Sequence, residues 1–393
     1  LNVQQFDILV VGGGLVGSAF VRAIATANLK ILVIDKLPIS AAYNPSLDNR
    51  GLAISYTSKE ILTDLKVWQD LAPMVYPINT VHVSEQNSFG FTKLSATQYN
   101  LPALGYVLSS NNLGQSLIQG LENLPNVTVM RPCILKKNFY DMDLARWVVD
   151  LDSQQVQVKL IVAAEGSNST LGQKIADVAI KDYQQTAIVT NVSTTQKNIT
   201  TAYERFVESG VLALLPFGPQ QCKCVWTVSN HDLKRLTSIT DAEFIMKLQT
   251  AFGFRCGIFT HLSDRMTFPL RAMHSNQLYS TNMVLLGNSA NTLHPVAAQG
   301  FNMGLRDAVV LAKLLCKINF NESKINFTSV LQNYASLRLA DHNKTREFTN
   351  LLLGVFASDL PLAKFTRGGG LVAAHLIQTI NRKIVQRGLG RWI

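Results

Sequence analysis

The chain has 393 residues, 47% of them hydrophobic and 16% charged, with a formal net charge of +10. This balance fits a folded globular protein, excludes a disordered one, and leaves length enough for two domains. The 36 Lys and Arg are spread along the chain, without a basic block or a recognisable nucleic-acid module, so no DNA or RNA partner is expected. No uninterrupted apolar run reaches the ~18 residues of a membrane span. The opening residues lead straight into a strand without the pattern of a signal peptide, so the expected location is the cytoplasm. Cys133, Cys222, Cys224, Cys256 and Cys316 are scattered and odd in number, which argues against a disulfide framework. In "QQCKCVWTV" the alternation puts Cys222 and Cys224 on one face of a strand as structural residues, and no metal site is expected.

In chain order, the first informative stretch is "FDILVVGGGLVGSAFVRAIATANLKILVIDK". A buried strand runs into Gly12-x-Gly14-x-x-Gly17, a helical periodicity follows, and "KILVIDK" reads as a second buried parallel strand ending at Asp35. In such a βαβ unit Gly12 permits the tight turn, Gly14 lets the backbone approach a pyrophosphate, and Gly17 lets helix and strand pack closely. The helix N-terminus offers free N–H groups to phosphates, and Asp35 is placed to accept ribose hydroxyls. The pattern predicts a dinucleotide site and leaves NAD and FAD open. Next comes "DNRGLAIS", where Arg50 stands in a loop from which a guanidinium can reach a phosphate, although composition alone favours a surface arginine.

Further on, "VKLIVAAEGSNSTLG" is a buried strand ending in small residues, with Glu165 and Gly166 at its tip. In an open α/β sheet such strand ends border the ligand crevice. Between residues 181 and 273, segments such as "AIVTNVSTT" and "CKCVWTVS" alternate as strands of a second sheet, and Phe217, Trp226, Phe268 and Pro269 are candidates for an apolar pocket or plain sheet core. Then "MVLLGNSANTLHPVAAQGFNMGLRD" runs from a buried strand, through Gly287, Asn288 and Pro295, into a helix near Gly300, Asn302 and Met303. His294, before a proline in a tight loop, is read as orienting that loop rather than as an acid or base. From Leu360 to Ile393 six basic residues (Lys364, Arg367, Arg382, Lys383, Arg387 and Arg391) stand without an acidic one, interleaved with apolar residues and Trp392. This suits either peripheral contact with an anionic membrane or a helix packed on its own domain with a solvated basic face.

Taken in order, these pieces resemble the class A flavoprotein monooxygenases, the FAD-dependent aromatic hydroxylases, over about 350 of the 393 residues. Within them the likeness is to the ubiquinone-biosynthesis branch, through Gly287-Asn288, Thr292-Leu293-His294-Pro295, Gln299-Gly300-Phe301-Asn302 and Arg306-Asp307. "TVHVSEQNSFGFTKL", "AYERFVESGVLALLPF" and "AFGFRCGIFTHLSDRMTFPL" are similar to that branch as well. Glu165 stands where the broader family has Asp, Leu171 where Arg is common, Asn288 where it has Asp, and Asn291 where the branch has His.

The resemblance implies an FAD-binding Rossmann-like α/β domain (1–75, 100–180 and 274–345), an inserted antiparallel-sheet substrate domain (76–99 and 181–273) and a C-terminal helical segment (346–393). It implies FAD held by Gly12, Gly14, Gly17, Asp35, Arg50, Glu165, Gly166, Gly287, Asn288, Pro295, Gly300, Asn302 and Met303, with the N–H groups of Asn302 and Met303 facing the electron-rich edge of the ring. No second GxGxxG follows a strand, in keeping with NAD(P)H as a transient co-substrate. The implied reaction is O2-dependent hydroxylation of a 2-polyprenyl-6-methoxyphenol ring in ubiquinone biosynthesis, alongside other quinone-biosynthesis proteins as partners. Another ring position or aromatic substrate, a dehydrogenase without oxygen chemistry, and a non-catalytic flavoprotein subunit are the alternatives. No catalytic residue is singled out.

Overall fold

The computed structural model describes residues 3–38, 51–175, 178–322, 324–356 and 378–390. Arg50, and from the tail Lys364, Arg367, Arg391 and Trp392, lie outside the described residues.

The first strand, Gln4–Val11, is central to an eight-stranded sheet. Its neighbours Ile31–Ile34 and Gln155–Ala163 run parallel to it, and Met283–Leu285 and Val127–Met130 extend the parallel set on either side. Ile8, Leu9, Val10, Ile31, Leu32, Leu160, Ile161 and Val162 are buried, as expected of strands covered on both faces. An antiparallel pair, Leu135–Asp141 and Arg146–Leu151, is attached beside Gln155–Ala163. The helix Leu15–Ile24 makes the crossover from the first strand to its parallel neighbour Ile31–Ile34, and the helix Gln299–Leu315 packs beside it.

A second, largely antiparallel sheet of nine strands draws on Thr80–Glu85 and Phe91–Ser95, on strands between Val178 and Ser275, and on the short strand Asn291–Thr292. Helix Asp241–Phe252 covers one face. Parity along Gln221–Ser229 sorts its side chains: Cys222, Cys224, Trp226 and Val228 enter the core with Phe244, Leu248 and Phe252, so both cysteines are buried free thiols on the covered face. The other face, with Val225 and Thr227, looks toward the first domain across a cavity. A small sheet of Gly51–Ser55, Gly105–Ser109 and Tyr76–Ile78 lies between the two larger ones.

Two C-terminal helices complete the described fold. Thr328–Phe356 packs along Gln299–Leu315, and Gln378–Gly388 lies against Leu94, Ala96 and Leu104 through Val385 and Leu389. Among the described residues no helix is long and apolar enough to cross a membrane.

Candidate active site

The strands Gln4–Val11, Gln155–Ala163 and Met283–Leu285 bring their C-terminal ends side by side, so three loops far apart in sequence meet along one crevice. The glycines in these loops fall into two groups. Gly12 has φ +104°, and a Cβ there would stand 2.4 Å from the Ala164 carbonyl oxygen; a Cβ on Gly17 would stand 2.0 Å from that of Gly12. Gly287, with φ +56°, and Gly304 lie side by side against Val16, where an added Cβ would stand 3.1 Å and 2.8 Å from its methyl carbons. These four let the two helix N-termini interlock. Gly14 and Gly300 differ: neither has a positive φ, and a Cβ on either would meet nothing within 4 Å. The chain itself does not require glycine at either position, so the open space in front of both is suited to a group outside the chain. Gly166 also faces open space, but its φ of +85° is reason enough for glycine.

Asp35 ends the second strand and clamps the glycine loop. Its Oδ2 accepts from the Gly13 N–H at 2.8 Å and its Oδ1 from the Leu37 N–H at 2.9 Å. Arg131 pairs with it at 3.6 Å and donates to the carbonyl oxygens of Gly13 and Leu37. A carboxylate has about four lone-pair positions, so Asp35 keeps capacity for a ribose hydroxyl. Arg131 has no signal in its own neighbourhood "VMRPC"; only the pairing of Ile31–Ile34 with Val127–Met130 brings it here.

Glu165 turns toward its own chain. Its carboxylate accepts from the Ser169 hydroxyl at 2.5 Å, the Thr170 hydroxyl at 3.0 Å and the Leu171 N–H at 3.1 Å, capping the helix Thr170–Ile175. Gly166 is tied to the third loop by its N–H, which donates to the Ser289 hydroxyl at 3.1 Å. Asn288 is exposed in the crevice and Pro295 is exposed at the next turn, whereas Asn291 is buried, its amide donating to the Met303 sulfur at 3.8 Å. The short strand Asn291–Thr292 pairs with Met273 and His274, which places Asn291 between the sheets and away from the cavity lining.

The helix at Gln299–Leu315 begins after Ala298, whose φ of +48° swings the chain into it. The first turn therefore leaves free the N–H groups of Gln299, Gly300 and Phe301. This corrects the expectation for Asn302 and Met303, whose N–H groups stand one step further in, where the helix ladder uses them. The Asn302 side chain bridges to the small sheet instead. Its Oδ1 accepts from the Ser55 N–H at 2.9 Å, and its Nδ2 donates to the carbonyls of Ala53 and Ala298 at 3.1 and 2.7 Å. Met303 is fully buried.

His294 is buried beside the cavity. Its Nδ1 accepts from the Val296 N–H at 3.2 Å, which leaves the proton on Nε2, 3.3 Å from the Gln185 carboxamide oxygen. Burial, helped by nearby Lys181, lowers its pKa to about 4. With one nitrogen accepting and the other donating, the neutral ring orients the loop and has no free lone pair for a base.

Beneath the crevice, Arg306 and Asp307 join a buried ionic network. Arg306 pairs with Asp341 at 2.9 Å, while Asp307 takes Arg338 at 2.6 Å and His342 at 2.9 Å. Burial alone pushes the Asp307 carboxyl up, but the charges of His342 and Arg338 outweigh it and hold the group well below the usual carboxylate range. Arg338, Asp341 and His342 carried no expectation from the sequence; their spacing puts all three on one helix face, which is the signal that could have found them.

Against this frame lies an apolar cavity of about 460 Å³. It is bounded by the loop and helix start Leu293–Asn302, by the Gly51–Ser55 strand, by Val81, Tyr203, Val211 and Leu215 of the second sheet, and by Leu352 and Leu389 of the C-terminal helices. Phe217, Trp226, Phe268 and Pro269 do not line it. Trp226 points to the opposite face of its strand, Phe217 lies under the Lys223 ammonium at 4.2 Å and beside Tyr76, Phe268 packs on the cluster of Ala187, Val189 and Leu270, and Pro269 is exposed.

Residues 5–344 match the family described as FAD binding domain. The chain belongs to this FAD-binding family. Its cofactor is FAD, and its class is that of the FAD-dependent monooxygenases, as the motifs implied. The ubiquinone hydroxylase UbiL of Rhodospirillum rubrum is 28% identical over 386 residues, covering 98% of this chain and 89% of that protein. The 3-demethoxyubiquinol 3-hydroxylase of Escherichia coli K12 is 28% identical over 392 residues, covering 98% and 99%. Among solved structures, p-nitrophenol 4-monooxygenase PnpA from Pseudomonas putida DLL-E4 shares the fold, with a TM-score of 0.79 at 16% identity and 100% of both chains covered.

Proposed function

We propose that this flavoprotein hydroxylates the ring of a polyprenylated phenol in ubiquinone biosynthesis, with a 2-polyprenyl-6-methoxyphenol as substrate, O2 as co-substrate and NAD(P)H as electron donor. The observation that carries the reading is the apolar cavity, which opens beside the helix start at Gln299–Phe301 and continues between the second sheet and the C-terminal helices. A volume of about 460 Å³ exceeds what one phenol ring needs and has room for part of an apolar tail. The names of the two relatives support the pathway.

In this reading Gly14, Gly166 and Gly300 give the cofactor backbone approach, Asp35 takes its ribose, and Asn288 and Pro295 border its ring side. Gly12, Gly17 and Gly287 keep the loops close enough to receive it. Glu165, Asn302 and Met303 support from within, and Arg50 is assigned to a phosphate. The bound flavin supplies the redox and oxygen chemistry. The chain's own work is to hold the phenol at the mouth of the Leu293–Asn302 loop, keep water out with apolar walls, and offer the N–H groups of Gln299, Gly300 and Phe301, at the positive end of a helix, to negative charge on the ring.

Purified holoenzyme supplied with NADPH, O2 and a short-chain 2-prenyl-6-methoxyphenol is expected to yield a product heavier by one oxygen atom, and the corresponding deletion strain to accumulate that phenol. Accumulation of a different ring intermediate removes the substrate assignment. Flavin that NAD(P)H does not reduce, with or without phenol, removes the catalytic reading.

Peripheral membrane contact belongs to the same proposal. The described apolar face of the last helix is turned inward, through Val385 and Leu389, so its basic outer face with exposed Arg382 and Arg387 is what meets anionic lipid. Binding to anionic vesicles that salt reverses is expected. Unchanged binding after truncation at residue 358 overturns this contact.

A further inference from the structure

The flavin-side helix meets the end of the last helix with two side chains, one hydrogen-bonded to it and one packed against it. Gln299, the first residue of that helix, is 3% exposed, and its Nε2 donates to the Gly388 carbonyl at 3.1 Å. Gly388 ends the helix Gln378–Gly388, so its carbonyl is among those left without a partner inside that helix. Arg306, two turns along from Gln299, closes against the next residues. Gly390 has φ +74°, and a Cβ there would stand 2.5 Å from the Arg306 Nη1. Arg306 is fixed in turn by Asp341, at 2.9 and 3.3 Å. A guanidinium is well placed at the negative end of a helix. The same short helix supplies Ile384, Val385, Gly388 and Leu389 to the cavity wall.

Resting on the polyprenyl-phenol reading, we infer that Gln299 is a positioning residue: with Arg306 it clamps the C-terminal helix as the wall that encloses the apolar tail of the substrate. One carboxamide thereby joins the helix start beside the flavin site to the far wall of the substrate cavity. A residue at 299 that cannot donate leaves the half-buried Gly388 carbonyl without this partner, and the wall loosens. The glycine contacts of the flavin crevice, at Gly12, Gly17 and Gly287, have no part in the Gly390 side of this clamp.

The clamp is tested from both sides in FAD-loaded full-length protein. Gln299→Met keeps the length of the side chain without its donor, and Gly390→Ala forces a methyl group against Arg306 without touching the flavin loop. Loss of this half-buried hydrogen bond predicts cleavage by trypsin after Arg382 and Arg387 about tenfold faster than in the parent. Both variants are expected to raise KM for a long-tailed prenylphenol, and Gly390→Ala, which lies outside the cavity and the flavin loops, to do so at little cost in kcat and with KM for a tail-less methoxyphenol near its parent value. Cleavage at the parent rate in both variants overturns the clamp. A KM that rises equally for both phenols overturns the role in holding the tail. If the parent protein hydroxylates neither phenol, the functional reading fails, while the proteolysis rates still decide the clamp.

Discussion

The helix Gln299–Leu315 has a different partner on each side, and the two sides are built by opposite means. Toward the crossover helix Leu15–Ile24 the contact is made by absent side chains, since Gly17, Gly287 and Gly304 bring backbone within reach of backbone and of Val16. Toward the second sheet the boundary is made by side-chain surface, with Val81, Val211 and Leu215 around an open volume. The first arrangement has no slack, because a single methyl group has nowhere to go. The second tolerates a change of size, because the space beside it is already empty. In the proposed function, cofactor binding falls on the rigid side and substrate choice on the adaptable one.

The rigid side rests on the buried ion network, and the largest effect is expected there. Asp307→Ala leaves His342 without its carboxylate and Arg338 with Asp341 alone, and is expected to destabilise the protein by about 3–5 kcal/mol in denaturant unfolding. A loss under about 1 kcal/mol would mean that the network contributes little to the rigidity of that side.

The two groups of glycines provide the next contrast. Gly17→Ala is expected to cost about 3 kcal/mol or more and to abolish FAD retention, since its methyl group would enter the Gly12 carbonyl. Gly300→Ala is expected to leave apoprotein stability unchanged or higher by up to about 1 kcal/mol, while weakening FAD about tenfold. Equal stability losses in the two variants would erase the distinction between glycines the fold needs and glycines the ligand needs.

His294 links the two sides through pH. Its folded pKa is lowered from 6.5 to about 4, so the stability that comes from keeping it neutral is complete above about pH 6.5 and is lost as pH falls toward 4. The upper bound is about 3 kcal/mol, at ~1.4 kcal/mol per pH unit. His82 and His274 are lowered as well and act with the same sign, so the relevant measure is the difference between the parent and His294→Asn, whose acid limb is expected to be shallower. Identical acid limbs would exclude His294 as the acid-sensitive link.

The smallest effect on stability is expected at the adaptable wall. Leu215→Phe, which fills part of the cavity, is predicted to change unfolding free energy by less than about 1 kcal/mol and to raise KM for long-tailed phenols. Destabilisation as large as that of Gly17→Ala would show the wall to be as tightly packed as the crevice.

The crevice was far more legible in the sequence than the cavity. Gly12, Gly14 and Gly17 lie close together behind one strand and before one helix, so local spacing is enough to announce a phosphate turn. The late loop from Gly287 to Asp307 is likewise continuous in the chain. Arg131, Ser289 and Val16 went unseen because their roles come from strand pairing and helix contact across more than a hundred residues, which leaves no periodic trace. Trp226 shows the converse. Its size suggested a pocket, but parity on its strand sends it to the helix-covered face and gives Val225 and Thr227 to the cavity.

The sequence by itself determined the dinucleotide fold and the two-sheet plan, because these rest on short-range backbone requirements: a turn only glycine can make, a strand buried on both faces, a helix start that follows. FAD came from the resemblance of the motifs taken in order. Tertiary structure alone decided which glycines serve the fold and which face open space, that Glu165 and Asn302 bind their own chain, and that the last helix closes the cavity. Each of those outcomes depends on what stands within a few ångströms in space, and that distance is set by the packing of elements the chain order keeps far apart.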